Sequence, residues 1–276
     1  MVSIEEYGEF ETSWCPGCGN FSIVKSLKTA LTELDIPPHE LMVSSGIGQA
    51  AKMPHYMNCH MFNGLHGRSL PMAQGMKIAN PEMTVVCVSG DGCSYGEGGN
   101  HFLAAIRRNL DITLLVHNNQ IYGLTKGQAS PTTARGQVTK AQPDGSRSEA
   151  FNPVATAVSM KAGFVARAFS GEPEHLVSVI KEAVNHKGFS MVDILQPCVS
   201  FNKVNTFSWY QERTYFLKDH DPQNWLAAMA KSEEFGESIP LGVLYENDRF
   251  PFVLGEKLAV HEYDNNDLKA VLQSYL

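Results

Sequence analysis

Apolar residues along the chain follow two spacings, and the switch from one to the other marks out the elements. Unbroken apolar runs at 85–88, 112–116 and 191–195, each followed within a few residues by Gly, Asn or Pro, predict strands buried on both faces. A shorter strand is predicted over 40–43 and another over 164–169. Between them the period becomes helical. Residues 20–35 put Phe21, Val24, Leu27, Leu31 and Leu34 on one stripe that ends at Pro37-Pro38. A second helix opens with Ser69 as N-cap and Pro71 in its first turn, a third starts near Asn100, a fourth follows Val154 and a fifth covers 173–186. Strands alternating with helices predict an α/β fold, a parallel sheet with helices on both faces, over residues 1–200. From Phe201 aromatic residues crowd in without catalytic spacing, and 201–276 is read as a C-terminal extension packing on the domain or on a partner subunit. Residues 1–13 read as a loose arm, 122–135 as a loop too polar for a core, and 136–148 as an exposed connection.

The pattern is richest from Gly90 to Leu124, GDGCSYGEGGNHFLAAIRRNLDITLLVHNNQIYGL, where strand, helix and strand follow one another. A parallel crossover returns the chain to the same end of the sheet, so Asp91 and Asn119 are expected together at the carboxyl ends of neighbouring strands. One carboxylate, one amide oxygen and the nearby carbonyl of Ile121 suit magnesium, which takes oxygen ligands in near-octahedral order and leaves room for water and phosphate oxygens. Gly90 and Gly92 let backbone come close to a ligand. Gly96, Gly98 and Gly99 lead into a helix whose free N–H groups are expected to face the same pocket. A glycine-flanked Asp alone is usually a turn; the pairing with Asn-Asn roughly thirty residues later points to a magnesium-bound diphosphate.

Composition narrows the partners more than the chemistry. The 276 residues carry a formal net charge of -7, which argues against nucleic acid. The opening MVSIEEYGEF reads as neither signal peptide nor anchor, and no stretch approaches a membrane span, so a cytoplasmic protein is expected. Six cysteines then point to metal or redox use rather than to disulfides. Cys15 and Cys18 flank a Pro-Gly turn, a spacing that serves zinc, an iron–sulfur cluster or structure alone. Cys87, inside a predicted strand, is read as core, and Cys93 as incidental to the Asp91 region.

Taken with CPGCGN at 15–20, SSGIG at 44–48, GLHGR at 64–68, GGNHF at 98–102 and YGLTKGQASPT at 122–132, the GDG…NN pair resembles the thiamine-diphosphate-binding β subunit of the 2-oxoacid:ferredoxin oxidoreductases. The resemblance runs from about Trp14 to Cys198, with a looser echo at 239–249. It implies the thiamine-diphosphate-binding fold and CoA-dependent oxidative decarboxylation of a 2-oxoacid, with electrons passing through a 4Fe-4S cluster to ferredoxin. The KGQ-SPT loop recommends 2-oxoglutarate or a broad range of 2-oxoacids. The resemblance also implies an α (or α/γ) subunit supplying the pyrimidine-binding domain and its glutamate, so the chain alone is expected to be inactive.

Residue by residue, the resemblance assigns cofactor contacts to Ile47, Gly48, His66, Gly90, Asp91, Gly92, Asn119, Ile121, Gly123 and Leu124, and magnesium to Asp91, Asn119 and Ile121. Lys126, Arg68 and Lys52 are the candidates for a substrate carboxylate, with a plain surface lysine as the alternative for Lys126. The cluster is expected on Cys15, Cys18 and Cys198. The family's remaining cysteine follows SGIG, where this chain has Gln49. Cys59 could complete the site if its loop folds back, Gln49 or water could take the fourth iron, or the cluster could be absent or altered; an amide oxygen is a poor ligand for iron in such a site. Two other functions stay open: a non-redox thiamine-diphosphate decarboxylase or synthase half, favoured by Gln49, and a non-enzymatic Cys-zinc α/β binding module.

Overall fold

Each apolar run becomes a strand and each helical stripe a helix in the computed structural model, which describes residues 1–252 together with Gln273. The strands are β1 (Leu41–Ser45), β2 (His60–Asn63), β3 (Thr84–Gly90), β4 (Ile112–Asn118), β5 (Ile121–Tyr122), β6 (Gln128–Ala129), β7 (Phe164–Phe169), β8 (Phe189–Leu195), β9 (Thr214–Phe216) and β10 (Ile239–Glu246). The helices are α1 (Asn20–Glu33), α2 (Ser69–Ala79), α3 (Gly99–Arg108), α4 (Pro153–Ser159), α5 (Pro173–Asn185), α6 (Phe207–Gln211) and α7 (Trp225–Glu233). Eight strands form one sheet in the order β2-β1-β3-β4-β8-β7-β10-β9, and β5 with β6 forms a small hairpin apart from it.

The sheet is mostly parallel. Among the described residues its one antiparallel neighbour pair is β10 with β7. The source is the C-terminal extension, whose β9 and β10 join the sheet rather than merely lying on it. Side chains alternate between two cores. Val86, Val88, Leu115, Val192 and Ile194 pack toward α1 and α5, whereas Cys87, Leu114, Val116 and Met191 pack toward α2, α3 and α4. That is why β3, β4 and β8 read as unbroken apolar runs: both faces are covered.

Several local readings shift. Ser44 and Ser45 end β1 rather than forming a loop. Ser69 is the first helical residue of α2, and Arg68 occupies the cap position. On α1 the buried apolar set is Ile23, Leu27, Ala30 and Leu31, while Phe21 is exposed and stacks edge-on against Trp14. Residues 60–63 form an edge strand, parallel to β1, that no alternation announced because it is largely exposed. The loop over 122–135 is not excluded from the interior, since Ser130, Thr132 and Thr133 are buried; so are Thr139 and Ser146 of the supposed exposed connection.

Replacing Leu115, fully buried at the centre of β4, with Ala is expected to destabilise the fold by about 2–5 kcal/mol. A shift of the denaturant midpoint without change of slope would show it, and a variant as stable as the parent would contradict the two-core packing.

Candidate cofactor and metal site

Parallel strands deliver their carboxyl ends to one edge, and the site is built there from the ends of β1, β3, β4 and β8. One pocket is lined by Ile47, Gly48, Gln49, Ala50, His66, Gly90, Asp91, Gly92, Cys93, Asn119, Ile121, Tyr122, Gly123, Leu124 and Thr125. The structure thus brings together all the residues expected to touch a cofactor. Glycines 96, 98 and 99 are not among them. A wide π-helical turn, Gly92–Glu97, separates Asp91 from α3, and the Gly98 N–H is taken by the Cys93 carbonyl at 3.0 Å. The start of α3 instead packs on the loop 64–68, where a Cβ on Gly67 would meet Gly98 N at 2.4 Å.

Asp91 is 1 % exposed. Burial pushes its carboxyl up to about 6, against the hydroxyls of Ser130 and Thr132 and the Gly92 N–H, which favour the charged form. Both hydroxyls donate to Oδ2, at 2.5 and 2.7 Å. Asn119 Oδ1 accepts the Ile121 N–H at 3.1 Å, closing a turn over Gln120, whose φ is 57°. That turn sets the Asn119 amide oxygen and the Ile121 backbone side by side, as a shared cation would require. A neighbouring asparagine, Asn118, is buried and points away: its amide donates to both oxygens of Asp193, at 3.2 and 3.1 Å.

The residues fit a diphosphate held through a divalent cation. Oxygen donors of the kind magnesium takes gather at the pocket. Gly48, at φ 121°, has nothing within 4 Å of where a Cβ would stand, so the pocket wall there opens to a ligand. At Gly92 a Cβ would meet the Tyr122 ring at 2.3 Å, and only glycine lets that ring lie over the loop.

Three thiols gather next door. Burial raises the Cys18 thiol, against the Asn20 backbone N–H, and the neighbouring Cys198 and Cys15 raise it further. Ser200 donates to Cys15 Sγ at 3.1 Å, and Gln196 Nε2 lies 3.3 Å from Cys18 Sγ. A Cβ on pocket-lining Gly123 would lie 3.8 Å from Cys198 Sγ, so this site and the pocket share a wall. Among the described residues no group of three or more His, Cys, Asp or Glu is placed to hold a single metal ion. Cys59 is brought elsewhere. It precedes β2 at the amino end of the sheet, its Sγ contacts the Met57 carbonyl, and burial pushes it up to about 12. Its loop does not fold back because β2 pairs along β1. Gln49 does adjoin the thiol segment: its carbonyl accepts the Trp14 indole N–H at 2.8 Å, and its Oε1 is buried without a partner among the described residues.

Of the substrate candidates, Arg68 faces His101 at 3.0 Å and Lys52 donates to Ser13 at 3.0 Å. Lys126 is exposed on the hairpin beside the pocket. Ser130, Thr132, Asn118 and Gln196 carry no local sequence signal of their role. For Asp193 a signal existed, since it and Arg167 are lone charges in otherwise apolar strands and pair in register. Cys93 is not incidental: its Sγ accepts N–H groups of Gly67 and Ile47, at 3.1 and 3.5 Å, and so joins two pocket loops.

Comparison with known proteins follows the same lines. Residues 41–194 match the model of the thiamine pyrophosphate enzyme C-terminal TPP binding domain, and 198–261 match the model of the C-terminal part of the pyruvate ferredoxin oxidoreductase beta chain. The β subunit of 2-oxoacid:ferredoxin oxidoreductase 1 from Aeropyrum pernix is 42% identical over 272 residues, covering 93% of this chain and 86% of that one. The chain belongs to the β subunits of the 2-oxoacid:ferredoxin oxidoreductases. This β subunit is also 34% identical over 241 residues to the 2-oxoglutarate synthase subunit KorB of Methanocaldococcus jannaschii, covering 87% of this chain and 89% of that one. A solved 2-oxoglutarate:ferredoxin oxidoreductase from Magnetococcus marinus, with 2-oxoglutarate, coenzyme A and succinyl-CoA bound, superposes with TM-score 0.89 at 34% identity, over 98% of this chain and 96% of that one. Family membership makes this an oxidoreductase subunit and sets aside the non-redox and non-enzymatic alternatives. No helix among the described residues is long and apolar enough to cross a membrane.

In metal-free protein at pH 8, iodoacetamide is expected to label exposed Cys15 well before Cys59 and Cys87, whose thiols burial pushes up to about 12. Peptide mass mapping over time reads the order, and early labelling of Cys59 would contradict its placement.

Proposed function

We propose that this β subunit binds thiamine diphosphate through magnesium held by Asp91, Asn119 and the Ile121 carbonyl, and serves CoA-dependent oxidative decarboxylation of a 2-oxoacid, with 2-oxoglutarate favoured. The observation that carries the reading is Asp91, a carboxylate 1 % exposed at a pocket where every sequence-assigned cofactor contact gathers. When bound, the cofactor supplies a ring that takes up the electron pair released as the 2-oxoacid loses carbon dioxide. The chain's own work is to hold and orient. Asp91 supplies charge where little water screens it; the turn over Gln120 aims the Asn119 and Ile121 oxygens; Ile47, Gly48, His66, Gly90, Gly92, Gly123 and Leu124 wall the cofactor in. Lys126 takes the distal carboxylate of the substrate, in keeping with the relatives named for 2-oxoglutarate.

Cys15, Cys18 and Cys198 would hold an iron–sulfur cluster of the 4Fe-4S type, which Gln49 or water would complete. Such a cluster would supply one-electron transfer to ferredoxin, with coenzyme A taking the acyl group; Cys198, which packs on pocket-lining Gly123, would hold it at the pocket wall. The α (or α/γ) subunit brings the glutamate and pyrimidine-binding domain that the cofactor also requires. Residues 1–200 form the cofactor-binding domain, and the extension from 201 braces it.

Asp91→Ala is expected to weaken magnesium–thiamine diphosphate binding by at least roughly a hundredfold. Titration calorimetry on the complex measures this, and unchanged affinity would overturn the cation site. Iron and acid-labile sulfide, assayed in anaerobic material after subtracting iron carried by other subunits, should give a cluster in this chain that readily loses iron on exposure to air, with Gln49→Cys resisting that loss. Absence of iron from the chain would remove the cluster.

A further inference from the structure

The Asp91 carboxylate has a support that the magnesium reading leaves unused. Ser130-Pro131-Thr132-Thr133 forms a closed turn: the Thr133 N–H donates to the Ser130 carbonyl at 3.1 Å, and the Ser130 N–H donates to Thr133 Oγ1 at 2.8 Å. Thr133 in turn donates to the Gln120 carbonyl at 2.6 Å, which fastens the turn to the segment bearing Asn119. From this platform Ser130 and Thr132 both reach Asp91 Oδ2, at 2.5 and 2.7 Å, all three side chains being buried. Thr132 Oγ1 also lies 2.9 Å from Asn118 Oδ1. A hydroxyl has a single proton, and a charged carboxylate is the stronger acceptor, so with Asp91 ionised that proton goes to Oδ2.

Resting on the cation site proposed above, we infer that Ser130 and Thr132 are positioning residues for the metal. They occupy one oxygen of Asp91, fix the plane of the carboxylate, and leave Oδ1 to the cation. Neither hydroxyl touches the ion. Their effect runs through the carboxylate: two donors offset the burial that disfavours its charge, and a fixed plane removes the entropy that a free rotor would lose on binding. The turn belongs to the loop that carries Lys126, so the segment offered to substrate is anchored on the metal ligand itself.

The test uses the α/β complex, with Mn2+ in place of Mg2+ so that bound metal is read by electron paramagnetic resonance in the presence of thiamine diphosphate. Thr132→Val keeps the shape and removes the hydroxyl; Ser130→Ala does the same at the other donor. Each is expected to weaken Mn2+ binding by roughly tenfold to a hundredfold, with a cooperative melting transition of the metal-free complex retained. Turnover should return to the parent value at saturating Mn2+, and Thr132→Ser should restore affinity. If Asp91→Ala binds Mn2+ as tightly as the parent, the cation site itself fails. If Asp91→Ala loses the metal while Thr132→Val and Ser130→Ala keep full affinity, the cation site stands and the positioning role is overturned. Should Thr132→Val fail to fold, Ser130→Ala and Thr132→Ser carry the same comparison, and equal affinities across them overturn the role as well.

Discussion

A carboxylate at 1 % exposure is the constraint from which much of this structure follows. Burial disfavours its charge, and a negative group in such a place persists only with donors around it or a cation against it. The chain supplies the donors from a loop, Ser130 and Thr132, and leaves the other side of the carboxylate to the pocket. Behind them a buried polar series continues inward. Thr132 meets Asn118, Asn118 donates to Asp193, and Tyr95 donates to Asp193 at 2.9 Å. Arg167, paired in register with Asp193, offsets the burial that raises it. Such a series fixes geometry because each member left unpaired would be costly.

The C-terminal extension completes this network. The Arg167 guanidinium donates to the carbonyls of Glu234 and Ser232, at 3.2 and 3.4 Å, and Gln120 donates to the Tyr210 hydroxyl at 2.9 Å. Residues beyond 201 therefore reach the strand ends that hold the site. Their antiparallel strand β10 also covers what would otherwise be the exposed edge of β7, removing a row of unpaired backbone groups.

Gln196 joins the pocket to the thiols. Its Oε1 accepts from Asn119 Nδ2 at 3.3 Å, while its Nε2 faces Cys18 Sγ at the same separation. One side chain, 1 % exposed, thus ties the pocket-lining Asn119 to the Cys18 thiol. A link of this kind keeps the spacing between the pocket and the thiols fixed.

The α/β fold and its parallel central strands are legible in the residue order alone, because strands covered on both faces must read as apolar runs and helices between them must show a stripe. The order of elements also brings Asp91 and Asn119 to one pocket, because a parallel crossover returns the chain to the same end of the sheet. What surrounds them was decided only in three dimensions. Ser130 and Thr132 lie about forty residues from Asp91 in a segment whose polarity reads as solvent-facing; nothing local distinguishes a hydroxyl that meets water from one that meets a buried carboxylate. The same holds for Cys59, whose sulfur would serve a cluster as well as any other until the pairing of β2 with β1 carries it to the opposite end of the sheet. Periodicity records which face of an element is covered, and partners brought together by chain reversal leave no trace in it.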